Sequence, residues 1–271
     1  MKLTCQIFIV FGEYLYSCSF HTTFALLNTF TLKEFNMFGT LYLFPVTLSD
    51  CPLENVLPEY NRRLLSPIRH FIVEEVRTAR RFLKKADPLF DIDGCQFYTL
   101  NKRTAPEQIS NYLDALKAGL DMGLLSEAGC PAIADPGADI VRIAQENGYK
   151  VVPLVGPSSI LLSLMASGFN GQRFAFEGYL PVEKENRIKT IKRLELLSYT
   201  EDMTQIFIET PYRNKRLLED LTENLRPQTR ICVSFDLTGP EENIRTLTAK
   251  DWKKDHTELT KKPCIFLIYK A

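Results

Sequence analysis

The sequence holds no C-x-x-C pair, no grouped histidines and no apolar run long enough to cross a membrane. Its seven cysteines, Cys5, Cys18, Cys51, Cys95, Cys130, Cys232 and Cys264, are odd in number and widely spaced. That spacing suggests neither a zinc site nor a disulfide framework, and it reads as the usage of a reduced, intracellular protein. His21, His70 and His256 stand far apart, so a histidine metal centre would have to be assembled wholly by folding. The 33 basic and 33 acidic residues cancel, which removes any global field toward nucleic acid or an anionic membrane and leaves such binding to a local patch. Neither G-x-G-x-x-G nor G-x-x-x-x-G-K-[ST] occurs, which argues against a standard dinucleotide fold and a P-loop nucleotidase. A cytoplasmic protein with no metal and no membrane contact is expected.

With 271 residues, 45% of them hydrophobic, the chain has material for one large domain or two ordinary ones. Residues 1–37 stand apart. They have only Lys2 as a positive charge before the apolar stretch Ile7 to Phe11, and Glu13 interrupts that stretch, so a signal peptide is not indicated. They read as an N-terminal extension, with Met37 as a candidate natural start.

From Gly39 onward short apolar runs alternate with amphipathic stretches, the pattern of a mostly parallel sheet covered by helices. Strands are predicted at Thr40 to Phe44, His70 to Val73, Gln96 to Thr99, Gly123 to Ser126 and Lys150 to Leu154. Helices are predicted over Glu75 to Ala86, over Pro106 to Ala118, and from an Asp135-Pro136 start to Asn147. Val155-Gly156-Pro157-Ser158-Ser159 closes this array and opens a helix over Ile160 to Ala166, so domains of residues 38–155 and 156–271 are expected. The second has predicted strands at Phe174 to Glu177 and Gln205 to Ile208 and helices over Lys184 to Leu197 and Asn214 to Asn224. Apolar segments at Arg230 to Phe235, Ile244 to Thr248 and Cys264 to Tyr269, without long helices between them, suggest a mixed sheet with antiparallel members.

Ligands of open parallel sheets bind beyond the carboxyl ends of the strands, which directs attention to the loops after Phe44, Val73, Ser126 and Leu154. Ser126 to Gly137 is a run of small residues and prolines, suited either to a flat ligand lying against backbone or simply to a rigid connection. At Gly156 to Ser159 a helix start offers free N–H groups to a carboxylate, or is merely well capped.

These two loops, S-E-A-G-C-P-A-I-A-D-P-G and V-P-L-V-G-P-S-S-I, with F-E-G-Y-L-P at Phe176 to Pro181, resemble the tetrapyrrole methylase superfamily. The branch most similar is that of ribosomal RNA methyltransferases acting on a cytidine 2'-hydroxyl of the small subunit. The resemblance implies two α/β domains, with S-adenosylmethionine in the cleft between them, in a homodimer that acts on ribosomal RNA or the small ribosomal subunit. Methylation of a tetrapyrrole or corrin precursor, and a cofactor-binding module without catalysis, are the alternatives. The cofactor residues it implies are Pro45, Ser126, Ala128, Gly129, Cys130 and Asp135 from the first half, then Pro157, Ser158, Ser159, Thr210 and Leu237. Gly129 and Ser158 are expected on opposite walls of one pocket. Glu75 and Glu209 are the candidate proton acceptors, with ion pairs to Arg77 or Arg213 as their structural alternative. Arg77, Arg80, Arg81 and Lys84 form a candidate RNA track. Phe44-Pro45-Val46-Thr47-Leu48-Ser49-Asp50 departs from the family's V-P-T-P-I-G-N, on the side of the cleft that would receive the acceptor.

Overall fold

A computed structural model describes residues 7–11, 14–18, 38–101, 104, 109–259 and 262–271. Of the expected extension it describes one hairpin, β1 (Ile7–Phe11) paired antiparallel with β2 (Tyr14–Cys18). The rest of residues 1–37, including Met37, lies outside the described residues, as do 105–108 at the start of the helix expected from Pro106.

The first large sheet comprises β3 (Thr40–Phe44), β4 (His70–Val73), β5 (Gln96–Thr99), β6 (Met122–Leu125) and β7 (Lys150–Pro153). Its order is β5-β4-β6-β3-β7 and every pairing is parallel. Alternation sorts its side chains. Phe44, Phe71 and Val73 join one core layer, Leu41, Leu43 and Ile72 the other, so both faces are covered and the strands read as continuous apolar runs. Among the described residues five helices accompany it or leave it: α1 (Glu59–Leu65), α2 (Val76–Ala86), the short α3 (Asp114–Lys117), α4 (Gly137–Glu146) and α5 (Ser159–Ser167).

Of the helix expected over Pro106 to Ala118, the described residues show a helical Ile109, a 3-10 turn, Ser110–Leu113, and then α3. The start expected at Pro136 moves one residue on, because Pro136 occupies the cap position and the Asp135 carboxylate accepts from the Gly137 N–H at 2.7 Å.

The second sheet comprises β8 (Phe174–Tyr179), β9 (Thr204–Glu209), β10 (Arg230–Phe235), β11 (Asn243–Thr248) and β12 (Cys264–Tyr269). Its order is β11-β10-β12-β9-β8, with β8 and β9 parallel and the other pairs antiparallel, the mixed arrangement expected. Phe207, Phe266, Ile231 and Val233 pack on one face beneath α6 (Lys184–Glu201) and α7 (Asn214–Asn224), while Ile206, Cys232, Ile265 and Leu267 meet α5 on the other. Each fully buried Ile, Leu or Phe contributes about 1.5–3 kcal/mol. Arg187 of α6 and Asp220 of α7, each with only 4% of its side chain exposed, pair at 2.6 Å, and the Arg187 guanidinium also donates to the Pro181 and Val182 carbonyls. This ties the loop after β8 to the helical layer.

Candidate functional site

A cavity of about 1000 Å3 opens where the carboxyl ends of β3, β4, β5 and β6 face the second sheet. The first half contributes Leu48, Glu74, Asn101 and the loop from Ser126 to Pro136; α5 contributes Ser158 and Ser159; the second half contributes Phe176, Tyr179, Ile208, Leu237 and Lys262.

The loop after β6 is shaped by its backbone. Gly129 has φ 71°, and a Cβ there would lie 3.1 Å from Leu48 Cδ2 and 3.3 Å from the Pro157 carbonyl oxygen, so glycine leaves bare backbone facing the cavity. Val46 donates its N–H to the Gly129 carbonyl at 3.0 Å. Cys130 Sγ donates to the Pro157 carbonyl at 3.4 Å, and burial pushes its thiol above the ordinary range, which keeps the proton on sulfur. Gly129 and Ser158 therefore belong to one cavity, as expected, but on adjoining walls rather than opposite ones. Burial also raises the Asp135 carboxyl, against the lowering effect of the Gly137 and Ala132 N–H groups. One of its oxygens accepts from those two groups, while the other is buried without a partner.

Strain collects here. Ala132, Ala134, Asp236 and Thr238 all have left-handed φ, between 51° and 66°, at about 1–2 kcal/mol each. Ala134 and Asp236 line the cavity and the other two flank it. Such residues persist where the surroundings over-determine them, and they mark functional loops.

Asp236 receives hydrogen bonds from Lys262 Nζ at 2.7 Å and from the Glu241 N–H within the second half, and from the Ser49 side chain across the seam between the halves. Desolvation alone would raise the Asp236 carboxyl; these three partners together hold it below its ordinary value. The bond to Asp236 in turn raises Lys262.

Of the sequence-predicted cofactor residues, Ser126, Ala128, Gly129, Cys130, Asp135, Ser158, Ser159 and Leu237 line the cavity. Pro45, Pro157 and Thr210 do not. Pro45 is buried behind the wall, where a Cβ on Gly156 would meet its ring at 2.2 Å; Pro157 turns its carbonyl to Cys130; Thr210 gives its N–H to Glu209 Oε1 at 2.6 Å. Glu209 is buried outside the wall, its Oε1 accepting from Arg213 at 2.8 and 2.6 Å, the ion pair that was its structural alternative. Glu75 is exposed and caps α2 through the Arg77 N–H at 3.1 Å, while its neighbour Glu74 lines the cavity.

Arg77, Arg80, Arg81 and Lys84 are exposed on α2. Arg80 pairs with Asp93 at 3.2 Å, and the Lys84 ammonium donates to the Phe90 carbonyl at 2.7 Å. Glu74, Tyr179, Asp236 and Lys262 also line the cavity, and none of them has a site role in the sequence-based expectation. The F-E-G-Y-L-P segment contains Tyr179, and Leu237 adjoins Asp236, so both lay beside recognised positions; Lys262 carried no local signal.

Among the described residues no group of three or more His, Cys, Asp or Glu side chains is arranged to hold a metal ion, and no helix is long and apolar enough to cross a membrane.

The family described as tetrapyrrole (corrin/porphyrin) methylases matches residues 60–252. The chain is 28% identical over 233 residues to the ribosomal RNA small subunit methyltransferase I of Pseudomonas aeruginosa, covering 85% of this chain and 78% of that protein. Its identity to the protein of the same name from Buchnera aphidicola subsp. Acyrthosiphon pisum is 30% over 242 residues, covering 88% and 80%. In fold it is similar to the uroporphyrin-III C-methyl transferase from Thermus thermophilus, solved in complex with S-adenosyl homocysteine, with TM-score 0.52, 18% identity, and 85% and 97% of the two chains covered.

Proposed function

The chain belongs to the tetrapyrrole methylase family of S-adenosylmethionine-dependent methyltransferases, and from that premise we propose that it methylates the 2'-hydroxyl of a cytidine ribose in small-subunit ribosomal RNA. The reading rests on one observation above all: the loop around Gly129 and the start of α5 adjoin in a cavity whose remaining walls come from both sheets. The names of the two relatives, which align with most of this chain, support ribosomal RNA as the acceptor.

The cavity fits the cofactor. Its volume lies at the upper end of the range for small-molecule sites, the bare backbone at Gly129 admits a planar group, and the buried Asp135 oxygen without a partner is an acceptor in want of a donor. Gly129, Cys130 and Leu237 would hold the cofactor along the wall, and the α5 N-terminus would receive its carboxylate. When bound, S-adenosylmethionine supplies a methyl group activated by a sulfonium.

The chain's task is then orientation, exclusion of water and removal of the hydroxyl proton. Glu74, on the wall at the end of β4, is the acceptor assigned to that proton in place of Glu75 and Glu209. Two copies form the working unit in this reading, joined through the exposed apolar residues Val155, Leu161 and Met165 around α5.

Two measurements test the proposal. Calorimetry should show S-adenosylmethionine binding, and small-subunit RNA from a deletion strain should lack one 2'-O-methyl group that the purified protein restores. A full set of methyl groups in the deletion strain would end the RNA reading, and absence of cofactor binding would end the whole assignment.

A further inference from the structure

Tyr212 is 96% exposed, so its ring contributes nothing to a core, yet the turn that carries it is anchored on both sides. Glu209 Oε1 accepts from the Thr210 N–H and from Arg213, and Asn214 Nδ2 donates to the Lys262 carbonyl at 2.9 Å. An aromatic ring held out on fixed backbone is placed for contact, because ordering it at the moment of binding costs little.

The topology puts the turn that carries this ring just beyond a strand that lines the cavity. β8 and β9 run parallel with Tyr179 opposite Ile208, both of which line the cavity together with Lys262. Tyr212 follows Ile208 by one tight turn. Tyr179 is itself 53% exposed, and beyond Tyr212 come Arg213 and the exposed cations Lys215 and Arg216. Flat aromatic faces beside cations are the chemistry that receives unpaired bases and their phosphates. On α2, Arg80, Lys84 and Lys85 are engaged by Asp93, by the Phe90 carbonyl and by Asp50, as Arg213 is by Glu209.

Resting on the RNA reading above, we propose that Tyr212 and Tyr179 form a stacking platform for unpaired RNA bases at the cavity mouth, with Tyr212 receiving a base next to the acceptor nucleotide. Glu209 and Arg213 are then positioning residues, holding the turn that presents the ring.

The test compares a short fluorescein-labelled single-stranded RNA of mixed sequence with its fully abasic counterpart, which keeps the phosphates and removes the bases. The wild-type chain should bind the base-bearing RNA about 5- to 150-fold more tightly, the range that one base–aromatic stack is worth. Tyr212→Ala should lose most of that preference and keep its affinity for abasic RNA, and Tyr212→Phe should retain the preference. The melting temperature of Tyr212→Ala serves as the folding control. A Tyr212→Ala chain with the full preference overturns the platform and leaves the methyltransferase reading intact. The same holds if that variant falls to a monomer in sedimentation, since the ring then belongs to a contact between copies. A wild-type chain that takes up S-adenosylmethionine but neither RNA overturns the platform and the RNA reading together.

Discussion

At the scale of single residues, Gly129 and Glu74, both on the cavity wall, are where the proposed function is most directly tested. With φ 71° and its would-be Cβ wedged between Leu48 and the Pro157 carbonyl, Gly129→Ala adds left-handed strain of about 1–2 kcal/mol and pushes two walls apart. The urea midpoint should fall and the calorimetric affinity for S-adenosylmethionine should weaken; unchanged affinity would mean that the cofactor does not lie against this backbone. Glu74→Gln keeps shape and removes the proton acceptor, so kcat should drop by about 10²- to 10⁴-fold with cofactor affinity preserved. An unaltered kcat would assign the proton to another group. That Glu74 rather than Glu75 faces the cavity was not legible in the sequence, because two adjacent carboxylates at a strand end point in different directions and only the helix start decides which becomes the cap. Glu209 misled for a related reason: a carboxylate four residues before an arginine is equally a reactive group or a closed ion pair until its burial is known.

Elements were legible where local pattern and tertiary context agree. Thr40–Phe44, His70–Val73, Arg230–Phe235 and Cys264–Tyr269 are runs of β-branched and aromatic residues, and each prediction coincides with the strand observed. α6 runs to Glu201 rather than the expected Leu197. Its extra turn is held by Tyr199, whose ring lies 4.3 Å beneath the Arg226 guanidinium and whose hydroxyl meets Thr229. Those partners lie some thirty residues away, beyond the reach of helical periodicity. β8 passes the expected Glu177 through Gly178, at φ 68°, where a glycine first reads as a stop. α1 was not predicted: its two buried residues, Asn61 and Leu65, make too narrow an apolar stripe. The basic face of α2 was visible from spacing, but the engagement of Arg80 and Lys84 was not. Reversing Arg80 and Arg81 to glutamate should weaken RNA binding and reduce the salt slope by about 0.7–0.9 for each phosphate no longer neutralised. If affinity and slope both persist, α2 lies off the RNA path.

Where the two halves meet, the Asp236 carboxylate accepts from the Ser49 side chain of the first half and from Lys262 of its own. Its carboxyl is held below the ordinary value of 3.8, and Lys262 above 10.5. A depressed acid contributes its stability in full above its unfolded value and loses it as pH falls through the folded one; a raised base contributes below its unfolded value and fails as pH rises through the folded one. The Asp236–Lys262 pair, which braces the second half's side of the cavity, should therefore hold between about pH 4 and pH 10.5 and weaken outside those bounds. Lys262→Met removes the ammonium that lowers Asp236, so its acid-unfolding midpoint, followed by circular dichroism, should lie at higher pH than that of the parent; coincident midpoints would discount the pair.

Assembly gives a separate prediction at this scale. Met165 is 79% exposed on α5, with Leu161 at 50% one turn earlier. A double change to glutamate should yield monomers in sedimentation velocity, and a persisting dimer would place the interface elsewhere.

The cavity has walls from both sheets. A guest that touches both binds the native arrangement and not the separated halves, so it acts as a fastener whose strength follows its concentration. Heat resistance should climb logarithmically with added cofactor, by about 2.7 kcal/mol at a hundredfold excess over Kd, and it should keep climbing after every site is filled. In a cell the resilience of this protein would then track the supply of its methyl donor.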